Sequence, residues 1–197
     1  MKKTVLKIMA GLFSVGMLLS NGVTGKISLR TEAALSPIEA TIKWAVDTAN
    51  DNSHGYSQKY RWGPDYDCVS FVISALREGG GYSVSKNTGT GNLREALQQL
   101  GFTWIPWNQL GGVSNLQRGD ILLDIGSHTE IYLGNRKNVG AHGHRGYRET
   151  GDQTGTEVSV GNYYNNTGGV SWDGVLRSNG VKPVISTDTT LPWNYTY

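Results

Sequence analysis

Cys68 is the one cysteine in a chain of 197 residues that also carries four histidines, at positions 54, 128, 142 and 144. A thiol with no disulfide partner is a buried bystander, an intermolecular link or a reactive group. Cysteine attacks as the thiolate, and an ordinary thiol titrates near pH ~8.5, so reactivity requires a helix N-terminus or an imidazole beside it. Cys68 sits at the expected start of a helix, where the peptide dipoles favour negative charge. His128 opens an expected strand, and His142 lies across the hairpin from it. In this order the three residues supply a nucleophile, a general base and a polar group that orients the base, which is the set needed for nucleophilic cysteine catalysis.

The other readings of these residues are plainer. His54 lies in a polar loop and His144 in a glycine-rich one, where histidines are ordinarily solvated. His142 and His144, with His128 and Cys68, could collect zinc, but structural zinc sites show tight paired spacings and only one pair is close here. No metal and no cofactor is expected. The Asn165 and Asn194 triplets of the Asn-x-Thr type read as chance, since they matter only in a glycosylating host.

The elements that must position this set follow from local pattern. Ser36, Pro37 and Glu39 form a helix start with a capping box, and Ile38, Ile42, Ala45 and Ala49 then share one helical face as far as about Asn50. An aromatic-rich loop over residues 55–67 leads to Cys68. The segment after it is rich in β-branched residues, so a strand competes with a helix there. Asp67 before it and the glycines at 79–81 after it favour the helix, with Val72, Leu76 and either Val69 or Ile73 on its apolar face. A short helix is expected from the Asn92 cap to the Gly101 stop. From Phe102 the period changes to short strands: 121–125, 129–133, 138–142 after the turn at 134–137, 157–160, and 172–177. A glycine-rich loop spans 143–155. No internal repeat and no appended binding module is evident.

The N-terminus has a basic start at Lys2 and Lys3, a short apolar run over 5–19 and a small-residue exit, the pattern of a secretory signal peptide with cleavage between 25 and 34. The run is too short and too rich in glycine for a membrane span. Residues 1–34 are therefore expected to be a leader, 35–180 the working domain and 181–197 an extension. Loss of the leader removes five of the 18 Lys and Arg and one of the 16 acids, so a net charge of +2 becomes −2. A near-neutral secreted product gives no support for a nucleic-acid partner or an anionic membrane surface.

Two motifs then resemble a known family. Residues 56–68, Tyr-Ser-Gln-Lys-Tyr-Arg-Trp-Gly-Pro-Asp-Tyr-Asp-Cys, resemble the nucleophile motif of NlpC-type cysteine peptidases, closest to the bacteriophage-type peptidoglycan amidase branch. Residues 126–135, Gly-Ser-His-Thr-Glu-Ile-Tyr-Leu-Gly-Asn, resemble its histidine strand. The stretch 151–155, Tyr163-Tyr164-Asn165 and the closing 172–177 look like the same branch, so the resemblance covers roughly residues 37–178. It implies an α+β, papain-like fold, with the nucleophile helix packed on a small antiparallel β-sheet. It also implies hydrolysis of an amide bond in cell-wall stem peptides through a thioester. In those terms Cys68 attacks, His128 moves the proton, and Tyr56, Asp67 and Ser70 face the substrate, Asp67 against a free amino group of the stem. The implied partner is bacterial peptidoglycan, met by a secreted monomer at the cell wall.

Three departures from the family pattern stand out. Val69 occupies the place of the serine that usually follows the cysteine, with Ser70 next. Alignment of the hairpin puts Gly140 where many members carry their third catalytic residue, so either His142, two residues on and on the same strand face, or another group near Gly140 fills that role. Targeting to the wall falls to the domain itself, the tail or a partner. Two other functions share the same residues: a non-catalytic wall-binding protein, and a toxin or bacteriocin-like effector using the same cut.

Overall fold

The computed structural model describes residues 34–143, 156–164 and 171–180. The leader as far as residue 33, His144, most of the glycine-rich loop, both Asn-x-Thr asparagines and the extension from 181 lie outside the described residues.

Helix α1, Pro37–Ala49, starts where the capping signal places it, and the Ser36 hydroxyl accepts the Glu39 N–H at 3.3 Å. The reciprocal half of the expected capping box is not made. The Glu39 carboxylate turns instead to Arg118, which donates through Nε and Nη2, each at 3.0 Å. Ile38, Ile42, Ala45 and Ala49 are all buried, as their spacing requires.

Helix α2, Cys68–Ser74, continues through a wider π-type turn over Ala75–Gly79. Asp67 settles the contest between helix and strand. Its side chain accepts the Ser70 N–H at 2.7 Å, and the Ser70 hydroxyl accepts the Asp67 N–H at 2.9 Å. This reciprocal cap satisfies two backbone donors at the helix start and contributes about 1 kcal/mol. Every residue from Cys68 to Leu76 is buried, so Val69 and Ile73 both pack inward and the helix has no solvent face over that stretch.

Helix α3, Leu93–Gln98, lacks the side-chain cap expected of Asn92; the Asn92 carboxamide oxygen holds the preceding turn through the Gly89 N–H at 2.7 Å. Six strands follow: β1 Phe102–Pro106, β2 Ile121–Asp124, β3 His128–Gly134, β4 Lys137–Ala141, β5 Val158–Asn162 and β6 Gly174–Ser178. A short helix between β1 and β2, α4 Trp107–Leu110, had no signal in the sequence pattern. The strands form one sheet in the order β1-β6-β2-β3-β4-β5, and every pairing is antiparallel. Asn135 and Arg136, both at positive φ (49° and 58°), make the β3–β4 turn in the left-handed conformation that matches strand twist.

Side chains alternate between the two faces of the sheet. Leu123, Ile131, Val139 and Leu176 join Ile42, Phe71, Ile73 and Leu76 in the main core between sheet and helices. Leu122, Tyr132 and Val175 join Leu110, Leu116 and Trp172 in a smaller cluster on the opposite face. This is the expected α+β arrangement: the Cys68 helix against a mainly buried antiparallel sheet. No helix among the described residues is long and apolar enough to cross a membrane.

Two arginine pairs tie loops to this frame. The Arg118–Glu39 pair is about one-quarter exposed on both sides, so water competes for it and its removal costs about 1 kcal/mol. Arg177 donates to Asp120 through Nε at 2.8 Å and Nη2 at 2.7 Å, and Asp120 is 1% exposed. Arg177→Ala leaves that carboxylate buried without its counter-charge. Urea denaturation should show a loss of about 3 kcal/mol for Arg177→Ala against about 1 kcal/mol for Glu39→Ala.

Candidate active site

Cys68 is the first residue of α2, and its backbone N–H belongs to the first helical turn, where donors have no intrahelical acceptor. The side chain reaches the start of β3, with Sγ 3.9 Å from the Ser127 carbonyl oxygen. The next residue is His128, whose ring interacts electrostatically with the Cys68 side chain.

Nε2 of His128 lies 2.9 Å from Oε1 of Glu130. His128 and Glu130 are two apart on β3 and so share a strand face. Glu130 is fully buried. Its Oε1 also accepts the Tyr164 hydroxyl and lies 3.3 Å from Nδ1 of His142. Its Oε2 has no hydrogen-bond partner among the described residues. On one side of the imidazole, the buried Trp172 stacks with ring centroids 5.9 Å apart and planes at 27°. The Trp172 indole N–H in turn donates to the Tyr164 carbonyl at 2.9 Å. The His142 ring also flanks His128, 5.8 Å away.

This packing sets the charges. Burial works against a charged His128, but the hydrogen bonds to Cys68 and Glu130 outweigh it and lift the imidazole from 6.5 to about 10. Burial also opposes the Glu130 carboxylate; His128, His142 and Tyr164 together overcome that and hold it below the usual range. His142 moves the other way. Its burial lowers its proton affinity and the His128 charge adds to this, while Glu130 only partly compensates. The Tyr164 phenol is pushed up by burial and by the facing carboxylate, so it remains a donor. The result is a part-buried imidazole whose protonated form is favoured by the Cys68 side chain and the Glu130 carboxylate, beside a neutral histidine. When neutral, a ring so placed can take the Cys68 proton, and the imidazolium so formed can give it to a leaving group.

The structure therefore brings Cys68 and His128 together, as their types suggested. His142 is adjacent but has its contact with Glu130. Tyr56 is buried, bridged to Tyr66 and with its ring against Gly143. Asp67 and Ser70, expected to face substrate, lie in the cap of α2. Ser70 is fully buried and spends its hydroxyl on the helix cap, and the Asp67 carboxylate is occupied by the Ser70 N–H and by Arg61 Nη1 at 2.9 Å. Sequence reasoning missed Glu130, Tyr164 and Trp172 as members of the cluster. Glu130 carried one usable signal, an acid two residues from a candidate base on the same strand face; Tyr164 and Trp172 lie in stretches that resemble the family, but in distant segments with no local sign that they meet the base. Metal-binding potential also differs from the spacing-based reading, since His128, Glu130 and His142 are the residues whose ligand atoms lie within 4.8 Å of one another.

Fold and cluster define a small α+β domain with a thiol–imidazole pair at a helix start. The model of the bacteriophage peptidoglycan hydrolase family matches residues 37–153, and the chain belongs to that family. Similar solved structures include the P60 domain of an antigen from M. avium subspecies paratuberculosis, 19% identical with a TM-score of 0.47, covering 72% of this chain and 93% of that one. Another is the peptidoglycan hydrolase RipB from Mycobacterium tuberculosis, 20% identical with a TM-score of 0.46, covering 72% of this chain and 64% of that one. No curated protein sequence matches the chain.

Ser70→Ala separates the cap from a substrate contact. The cap predicts a loss of about 1 kcal/mol in thermal unfolding with KM for peptidoglycan unchanged; a raised KM at unchanged stability would return Ser70 to the substrate.

Proposed function

We propose that the protein is a secreted cysteine hydrolase that cuts an amide bond of the peptidoglycan stem through an acyl-enzyme. Family membership makes peptidoglycan the substrate. The observation that carries the thiol mechanism is the Cys68 side chain at the start of β3, with Sγ 3.9 Å from the Ser127 carbonyl oxygen, beside a His128 that is itself held by a carboxylate.

In this mechanism the Cys68 proton passes to His128, and the thiolate attacks the scissile carbonyl carbon. The tetrahedral oxyanion is met by the Cys68 backbone N–H at the helix start, where the dipole also favours negative charge. Collapse of the intermediate breaks the C–N bond, and the imidazolium gives its proton to the departing amine. A water molecule, deprotonated by His128, then attacks the thioester, releases the carboxylate product and regenerates the thiol. Nothing in these steps requires a metal or an organic cofactor. Tyr56 is the candidate for lining the substrate cleft. The enzyme works as a monomer at the cell wall, reached through the N-terminal leader.

Mass spectrometry of fragments released from several purified peptidoglycans by wild type and by Cys68→Ala tests this reading. Release by wild type alone supports it, and the fragment masses distinguish an amidase at the glycan–peptide junction from an endopeptidase within the stem. Equal release by the variant, or none from any wall, rules out thiol hydrolysis of peptidoglycan.

The raised His128 gives a second test. A group whose folded pKa lies above its ordinary value contributes stability that is complete below 6.5 and disappears as pH rises through about 10. The proton donor for the leaving amine persists over the same range. The alkaline limb of kcat/KM is therefore expected near pH 10, and a limb near 6.5 would contradict the ion-paired imidazole.

A further inference from the structure

The β3–β4 hairpin contains a fitted pair of positions that the thiol mechanism alone does not explain. Ile131 pairs with Val139 across the two strands. One step further toward the site, Glu130 comes opposite Gly140, and two steps beyond that His128 comes opposite His142. A Cβ at Gly140 would lie 2.7 Å from Glu130 Cγ and 3.2 Å from its Cδ. The first distance is well inside carbon–carbon contact. Gly140 sits in a regular strand, paired with Ser159, and is absent from the residues with positive φ. Its backbone conformation is therefore open to any amino acid. What the position requires is space, and the space is filled by the Glu130 side chain.

The Glu130 carboxylate is not placed as a stabilising ion pair would be. One oxygen serves His128, Tyr164 and His142, while the other is buried with no partner among the described residues. An unpaired buried carboxylate oxygen costs free energy and calls for a functional explanation. Oε1 lies against Nε2 of His128. A carboxylate there fixes the ring orientation and stabilises the imidazolium.

We propose that Glu130 is the positioning residue of His128, that Gly140 is kept bare to give the Glu130 side chain its place, and that His142 and Tyr164 hold the carboxylate rather than the ring. The orienting group thus comes from the same strand as the base, two residues on. The proposal rests on the thiol mechanism above for its kinetic readout, but one of its measurements needs no substrate.

That measurement is the NMR titration of the His128 imidazole in the full mature protein, made for wild type, Glu130→Gln, Gly140→Ala, His142→Ala and the pair Glu130→Ala with Gly140→His. The groups facing His128 and Glu130 are Cys68 on α2, His142 after β4 and Tyr164 after β5, and all three remain in the two decisive single variants. Glu130→Gln should bring the His128 midpoint down by more than one pH unit and lower kcat on peptidoglycan by about 10²-fold, with KM within twofold. Gly140→Ala should act in the same direction by pushing Glu130 aside. His142→Ala should leave the greater part of the His128 shift. The double variant, which supplies an imidazole from β4 into the emptied space, should recover at least tenfold in kcat over Glu130→Ala.

A folded Glu130→Gln with an unchanged His128 midpoint and unchanged kcat overturns the proposal. So does a Gly140→Ala protein with wild-type values, which decides the matter if Glu130→Gln does not fold. Full loss of the shift in His142→Ala would transfer the role to His142. If wild type releases nothing from any wall, the peptidoglycan reading fails, while the titration still reports on Glu130.

Discussion

The hydrogen bond between Glu130 and His128 is the contact on which the rest of the site depends. A buried imidazole prefers to be neutral, and a neutral ring beside Cys68 would offer its thiol little charge stabilisation. Here a carboxylate with no solvent exposure sits 2.9 Å from Nε2 of the ring. Its charge survives burial only because two histidines and a tyrosine converge on one of its oxygens. Taking any one of these groups out of water is unfavourable; the assembled set compensates each of them. The cluster is therefore cooperative, and its members belong to four separate stretches of chain.

The fold supplies the geometry through two rigid references. One is the reciprocal cap between Asp67 and Ser70, which fixes where α2 begins and so where the thiol stands. The other is the β3–β4 register, which puts His128 and Glu130 on one strand face and opens room at Gly140. Trp172, arriving just before β6, stacks on one side of the ring. Asp67 and Ser70 hold the first reference in place. Their position beside Cys68 has a structural explanation that needs no ligand.

Family membership and this geometry account for different properties. Peptidoglycan as substrate follows from the family match over residues 37–153. The proposed thiol mechanism follows from the charge arrangement around Cys68 and His128.

Much of this was legible in the residues taken in order. The first helix, the glycine stop after α2, the strand–turn–strand around His128 and the buried faces of each are consequences of local periodicity and turn chemistry, which act over a few residues. Cys68 and His128 could be picked out because a lone thiol and a strand-borne histidine are chemically conspicuous wherever they fall. The orienting group could not be chosen the same way. His142 and Glu130 are both polar, both near His128 and both on suitable strand faces, and the sequence does not say which of them reaches Nε2. In the folded chain Glu130 reaches it, and its side chain fills the volume that a side chain at position 140 would occupy. The partners of Glu39, Asn92, Asp67 and Ser70 were likewise chosen by which donors and acceptors came within about 3 Å after folding. Tyr164 and Trp172 entered the site only because the sheet order carries the segments around β5 and β6 back to β3. Local sequence determined the elements and their chemistry. Packing between segments distant in the chain determined which polar group each one meets, because hydrogen bonds and burial depend on distances that only the tertiary structure fixes.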